Sequence, residues 1–325
     1  MAYCLATAQC FSVSSTSQTF CSNESAQISP CPGTAGGSNC GTTDWCGQDA
    51  QYTHNSRTLT CSNGVCGGTA ATNEIVTDSL TKLVWQRTWV GERNWQQAID
   101  YCAGLNSPTP YGGYNDWRLP NPFELASIWD LEHTNPSIDT TIFPGIPAIN
   151  VFWSSSSYAP ATTDAWLVGF DLGGVSYSGK NYNRSVRCVR GGPLSSSPAQ
   201  ADRFTVSGSG EQIVTDSVTG LVWQGSHVTG KTWKQALAYC EGLPYASQTD
   251  WRLPTGNELM SLVNYGRSIP ASDFPSMPSD GFWSSTSFAG NVGGAWHVYF
   301  SSGGVYCCDY NKTLEFDVRC VRGGP

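Results

Sequence analysis

The side chains of this 325-residue chain that could do chemistry are fourteen cysteines, four histidines and a recurring glutamate. Eight cysteines (Cys4, Cys10, Cys21, Cys31, Cys40, Cys46, Cys61 and Cys66) crowd a polar segment rich in Ser, Gly and Thr. Structural zinc calls for thiolates paired at Cys-x-x-Cys spacing. No pair here has that spacing, and Cys307 and Cys308 are directly adjacent. The segment therefore reads as a disulfide framework formed in an oxidising compartment. His54, His133, His227 and His297 are scattered. Glu124 and Glu258 each follow Arg-Leu-Pro, where general-acid work is conceivable but a helix cap explains them. Ser-rich stretches follow Phe152-Trp153 and Phe282-Trp283 without a nearby histidine and acid in both. No nucleophilic triad results, so the expectation is a protein that is not an enzyme.

Composition narrows the partners. A formal charge of −8 argues against a nucleic-acid binder, which would work through a basic surface. No apolar run approaches the ~18 residues of a membrane span. Twelve per cent aromatic residues and 13% charged residues describe a folded chain. Met1-Ala2-Tyr3-Cys4 shows neither the basic nor the apolar part of a signal peptide. The cysteines nonetheless place the protein outside the cell, secreted or on the surface.

The elements that must position these residues are written twice. Ile75 to Gln86 recurs as Ile213 to Gln224, and Asp116-Trp117-Arg118-Leu119-Pro120 as Asp250-Trp251-Arg252-Leu253-Pro254. Phe152-Trp153-Ser154-Ser155 recurs as Phe282 to Ser285, and Val186 to Pro193 as Val318 to Pro325. His297 stands where the first copy has Leu167, so that histidine has no duplicated role. Each copy is large enough to bury its own core. The expected organisation is a cysteine-rich segment at 1–70, a module at 71–193, a linker at 194–203 and a second module at 204–325.

Within a unit, Trp95, Ala98, Ile99 and Cys102 fall on one helical face, as do Trp233, Ala236, Leu237 and Cys240. A second helix starts after Arg-Leu-Pro, capped by Asn121 with Glu124 or by Thr255 with Glu258. In the second copy its stripe is Leu259, Leu262 and Val263. Residues 295–306 read as a hairpin through Gly303-Gly304, and residues 165–170 with Gly173-Gly174 repeat it. The unit is α+β: two helices, short antiparallel strands and long loops. Cys102 can meet Cys188, and Cys240 can meet Cys320, tying the start of each module to its end. Closing loops of this size contributes up to ~4.5 kcal/mol in the chain-entropy account.

These landmarks resemble the Lcl C-terminal domain family, named for a bacterial collagen-like adhesin. The matching elements are Thr-Asp-x-x-Thr-x-Leu-Val-Trp, Trp-x-x-Ala-x-x-Tyr-Cys, Asp-Trp-Arg-Leu-Pro-x-x-x-Glu-Leu, Phe-Trp-Ser-Ser and the terminal Val-Arg-Cys-Val-Arg-Gly-Gly, in order and twice. The resemblance implies a C-type-lectin-like fold in both modules and an exported protein concerned with adhesion or ligand display. In some members the stretch before the last strand is hypervariable. Here the stretch from Val175 to Ser185 differs in length and residues from its counterpart, Val305 to Asp317, between nearly identical flanks. Only Lys180 and Lys312 align, each eight residues before the strand cysteine. Tyrosine-rich loops offer much contact area at small entropic cost.

The candidate ligand-binding residues are therefore Ser176, Tyr177, Tyr182 and Arg184 in the first module, and Tyr306, Asp309, Tyr310, Leu314 and Phe316 in the second. The ligand would be a protein or glycan on another surface, or further copies of this chain. The calcium-binding tripeptides of sugar-binding C-type lectins, Glu-Pro-Asn, Gln-Pro-Asp and Trp-Asn-Asp, do not occur. No cofactor is expected, and a structural calcium held by loop oxygens is left open. Two other readings stand beside adhesion. One is a structural subunit of an extracellular filament, assembled through the cysteine-rich segment. The other is a relative of the formylglycine-generating enzymes, which the Arg-Leu-Pro-x-x-x-Glu stretch also resembles. It would need a reactive cysteine pair, for which only Cys307 and Cys308 are spare.

Overall fold

A computed structural model describes residues 59–61, 74–192 and 203–323, apart from 80, 132–133, 147–149, 292 and 308–310, with short strand segments at 2–4, 10–12, 21–22, 27–28 and 45–46. Most of the cysteine-rich segment, linker residues 194–202, and Cys308, Asp309 and Tyr310 lie outside the described residues.

The first module begins with β1 (Leu59–Cys61), β2 (Ile75–Asp78), β3 (Val84–Gln86) and β4 (Val90–Arg93). Helices α1 (Trp95–Gly104) and α2 (Pro122–Ser127) follow. The chain closes with β5 (Val151–Ser157), β6 (Asp164–Gly169), β7 (Val175–Gly179), β8 (Arg184–Val186) and β9 (Val189–Arg190). The second module repeats the order as β10 (Phe204–Ser207), β11 (Ile213–Asp216), β12 (Val222–Gln224), β13 (Val228–Lys231), α3 (Trp233–Glu241), α4 (Gly256–Met260), β14 (Gly281–Ser287), β15 (Ala295–Tyr299), β16 (Gly304–Tyr306), β17 (Phe316–Val318) and β18 (Val321–Arg322).

Each module has two sheets. The smaller runs β9-β3-β2-β1 in one and β18-β12-β11-β10 in the other, all antiparallel. In the larger, the strands of the first module pair in the order β7-β6-β5-β8-β4. Those of the second pair as β16-β15-β14-β17-β13. Two features depart from the sequence expectation. β1 lies within the span 1–70 yet pairs with β2, Cys61 opposite Val76, so the first module reaches back to Leu59. The strands are also not all antiparallel: β5 with β8, and β14 with β17, run parallel. β7, β5 and β8 all run in the same sense, and residues 180–183 carry the chain from β7 on one side of β5 to β8 on the other.

The helices start where their caps allow. Asn121 and Thr255 accept from the N–H of Glu124 and Glu258, whose carboxylates accept from the cap N–H in return. Asn94 with Gln97, and Thr232 with Gln235, do the same for α1 and α3. These reciprocal bonds satisfy donors that the first helical turn leaves unpaired. α4 ends at Met260, so the buried Leu262 and Val263 pack from beyond the helix and not along it. The turn after β2 needs a left-handed residue, and the two copies supply it differently. Lys82 has φ 60° and Gly220 has φ 72°. Glycine meets that requirement without the steric cost that lysine incurs.

The helix face predicted from spacing packs on the core, with Trp95 and Ile99 of the first module partly buried. Ala98 and Cys102 cluster with Trp117 and Trp153, and Ala236, Leu237 and Cys240 with Trp251 and Trp283. Cys102 is bonded to Cys188 and Cys240 to Cys320, each with Cα atoms 5.5 Å apart. Among the described residues no helix is long and apolar enough to cross a membrane.

Candidate functional site

The divergent segment is fastened at its middle. The Lys180 carbonyl accepts from the N–H of Trp95, the first residue of α1, at 3.1 Å. The Lys312 carbonyl does the same for Trp233 at 3.0 Å. The Lys180 ammonium lies 4.0 Å from the Trp95 ring centre and donates to the Ser157 hydroxyl at 2.6 Å. The Lys312 ammonium lies 3.9 Å from the Trp233 ring and donates to Ser287. One lysine thus holds the segment by charge, ring and backbone in both copies. This is why it alone aligns while the residues around it differ.

Lys180 also fixes the register beyond it. From Lys180 to Arg184 and from Lys312 to Phe316 the spacing is equal, so the length difference falls before the lysine. Tyr182 and Leu314 occupy equivalent places and are exposed, at 58% and 43%. Arg184 and Phe316 open the equivalent strands β8 and β17.

Strand alternation divides the first module's candidates between two faces. Ser176 pairs with Leu167 across β6–β7, and Ser178 with Ala165. Arg184 joins them from β8, with its Nη2 donating to the Ser178 hydroxyl at 3.0 Å and its guanidinium 5.5 Å from the Tyr182 ring. Ser176, Tyr182 and Arg184 therefore form one group on one face. Tyr177 is on the other face, opposite Trp166, stacked 3.8 Å from Tyr158 and 41% exposed. The four candidates of the first module are thus not a single patch.

In the second module two of the first group's positions are aromatic, Tyr306 for Ser176 and Phe316 for Arg184, while Leu314 stands for Tyr182. Tyr306 pairs with His297, as Ser176 pairs with Leu167. Phe316 stacks on the His297 ring at 5.0 Å, and Tyr299 meets His297 edge-on at 5.3 Å. Trp283 closes the group beneath, 4.6 Å from Phe316. Two glycines make room for the rings. A Cβ on Gly281 would fall 2.7 Å from Phe316, and one on Gly304 would fall 2.3 Å from Tyr306. Sequence reasoning found Tyr306 and Phe316 but passed over His297 and Tyr299. The replacements of Leu167 by His297 and Gly169 by Tyr299 were the available signal. Cys307, at the register position of Tyr177, is buried and disulfide-bonded.

The charged residues near the repeated motifs serve the framework. Arg118 holds Glu124 with two bonds of 2.7 and 2.6 Å, and Arg252 holds Glu258 with two of 2.6 Å. Burial alone would push the Glu258 carboxyl up, but the Arg252 charge and hydrogen bonds from Arg252 and Thr255 hold it below its ordinary value. Asp116 and Asp250 pair with Arg190 and Arg322, not with the neighbouring Arg118 and Arg252. Arg187 is fully buried: its Nη1 donates to the carbonyls of Gln86, Arg87 and Thr88, and its guanidinium lies 4.6 Å from the Phe143 ring. Arg319 repeats this with Gln224, Gly225, Ser226 and Phe274. Burial pulls Arg187 down to about 9 and Arg319 to about 10, which leaves both charged at neutral pH. Among the described residues no three His, Cys, Asp or Glu side chains are placed to hold a metal ion.

The site is therefore two loop-bearing sheet faces on a common frame, without a metal centre among the described residues. No curated protein matches the chain. The family model for the Lcl C-terminal domain matches residues 74–190 and again 212–322, more than half of the sequence. The chain belongs to the Lcl C-terminal domain family, with two domains in tandem.

Proposed function

We propose that this is an extracellular ligand-binding protein of the adhesin kind, whose two modules, C-type-lectin-like in fold, display divergent loop faces. The observation that carries the reading is the contrast inside one chain. Much of the framework is repeated bond for bond, down to the indole N–H of Trp153 and Trp283 donating to the carbonyls of Arg93 and Lys231 at 2.9 Å, although the buried Arg87 and its ion pair with Glu74 give way to Gly225. On that frame Leu167, Gly169, Ser176 and Arg184 become His297, Tyr299, Tyr306 and Phe316. Change is densest on that face and its loop, and reaches fewer positions of the frame, Arg87 and Ser185 among them. The family supports an adhesin-like role, and the bridges Cys102–Cys188 and Cys240–Cys320 suit an oxidising, extracellular setting.

The partner is a protein or glycan of another surface. Aromatic and small polar side chains suit such contacts with little loss of side-chain freedom. The test exchanges Tyr182 and Arg184 for Ala in one variant, and Leu314 and Phe316 for Ala in another, in the full chain. Binding to cells and to glycan and protein arrays is then measured. Loss of binding in either variant supports the assignment. Unchanged binding in both sinks it, and filaments in electron micrographs without any surface binding would favour the structural-subunit reading.

A further inference from the structure

The second module carries a group of titratable side chains that the first module lacks. Asp317, in the middle of β17, pairs with Phe282 of β14 and is 7% exposed. His227, just before β13, brings Nε2 to 3.7 Å from an Asp317 carboxylate oxygen. That oxygen, Oδ2, is buried without a hydrogen-bond partner. Asp280, just before β14, is exposed and repels Asp317, while Arg319 and the Gly230 N–H favour its ionised form. These four groups face Asp317 from every strand packed beside it. The first module places neutral groups at the same positions. Ser185 stands for Asp317, Asn150 for Asp280 and Trp89 for His227, and the Ser185 hydroxyl donates to the Asn150 side-chain oxygen. One module thus joins β8 to the start of β5 by a permanent hydrogen bond. The other sets two carboxylates against each other at the same joint.

We propose that Asp317, Asp280 and His227 form a proton-operated clasp, in which one proton taken up by Asp317 replaces carboxylate repulsion with an Asp317-to-Asp280 hydrogen bond and fastens β17 to the sheet. In acid the second module then matches the first, with the proton in the place of the Ser185 hydroxyl. At neutral pH the joint slackens, and with it the strand that bears Phe316 and ends the divergent loop. The clasp is independent of what the loop binds. Burial first, and then repulsion by Asp280, push the Asp317 carboxyl up to about 6 from an ordinary 3.8. Burial, and then the Arg319 charge, hold His227 below its ordinary value. The sign follows from linkage. A carboxyl whose folded value is raised binds more protons folded than unfolded, so its stabilising effect is full in acid and is lost as pH rises through the window from about 4 to about 6.

Amide hydrogen exchange of the full chain, corrected for intrinsic rates and followed from about pH 4.5 to about pH 7.5, tests this. Protection of residues 316–318 should fall severalfold across that range, while residues 184–186 of the first module stay level. Asp317→Asn should abolish the change and keep the acid-level protection at neutral pH. Asp280→Asn should move the transition to lower pH, and it serves if the first variant folds poorly. A wild-type protection that does not vary with pH, or an equal pH response in both variants and the wild type, overturns the clasp.

Discussion

The two modules share most of their frame and differ most on one face, and the location of the difference is instructive. Ser154 and Ser284 each donate to the carbonyl of the following strand's tryptophan at 2.8 Å. Trp95 and Trp233 donate their indole N–H to the Ser154 and Ser284 carbonyls, again at 2.8 Å. Gln86 reaches the Tyr101 hydroxyl and Gln224 the Tyr239 hydroxyl, both at 2.8 Å. Bonds of this kind leave a buried polar group unsatisfied when one partner changes, which costs about 1–3 kcal/mol. The face around Arg184 or Phe316 meets the interior by packing, as Phe316 does on Trp283 and the buried His297, and there residue type changes between polar and aromatic. What can vary is thus decided by which side chains complete the frame's hydrogen bonds.

Four measurements can break this comparison or sharpen it. The largest effect belongs to the buried tryptophans. Trp153→Ala and Trp283→Ala should each cost ~3–5 kcal/mol in denaturant unfolding of the affected module. Costs that differ widely between modules would show that the frames are not equivalent. Next come the disulfides. Replacing Cys102 and Cys188, or Cys240 and Cys320, by Ser should cost ~2–5 kcal/mol and make each module sensitive to proteolysis. The lysine pins should separate the copies. Lys312 is 4% exposed, whereas Lys180 is only half-buried, so Lys312→Met should lower stability by about 1–2 kcal/mol and Lys180→Met by less. The reverse order would overturn the account of the pin.

The smallest effect concerns pH. Glu258 has a folded value below its ordinary 4.5. A carboxyl lowered in this way contributes stability above that value and loses it as pH falls through the folded one. Glu258→Gln should therefore flatten the acid limb of the second module's stability profile, below about pH 4.5. An acid limb as steep as the wild type's would remove Glu258 from the frame.

Much of this was legible in the sequence. The capping pairs Asn121–Glu124 and Thr255–Glu258 have a fixed spacing set by helix geometry, and the Trp-x-x-Ala face has a fixed period. Both are local rules. β1 escaped because three residues, Leu59-Thr60-Cys61, carry no period of their own, although Phe204-Thr205-Val206-Ser207 repeats them loosely. The parallel return of β8 depends on residues 180–183 crossing back along the sheet before the strand pairs with β5, which no local pattern encodes. Arg187 and Arg319 gave no sign of burial, since their partners are main-chain carbonyls about a hundred residues away (separations of 101 and 95 for Gln86 and Gln224). The loop candidates were found by comparing the copies, but their division between two faces depends on strand register. His297 was noticed and set aside because it lacked a twin; in the fold, lacking a twin is what marks it as part of the divergent face.

The disulfides have a mechanical meaning. Cys102 to Cys188 spans 86 residues, and β5, β6, β7 and β8 all fall inside that covalent loop. Tension applied to the chain on either side of the first module enters through β1–β4 and α1, crosses the sulfur bridge and leaves through β9. Of the five strands of the loop-bearing sheet, β5 to β8 are off the load path and only β4 lies on it. The bridge from Cys240 to Cys320 shields β14 to β17 in the same way. A strand carrying Arg184 or Phe316 could hold its shape while the chain around it is pulled taut.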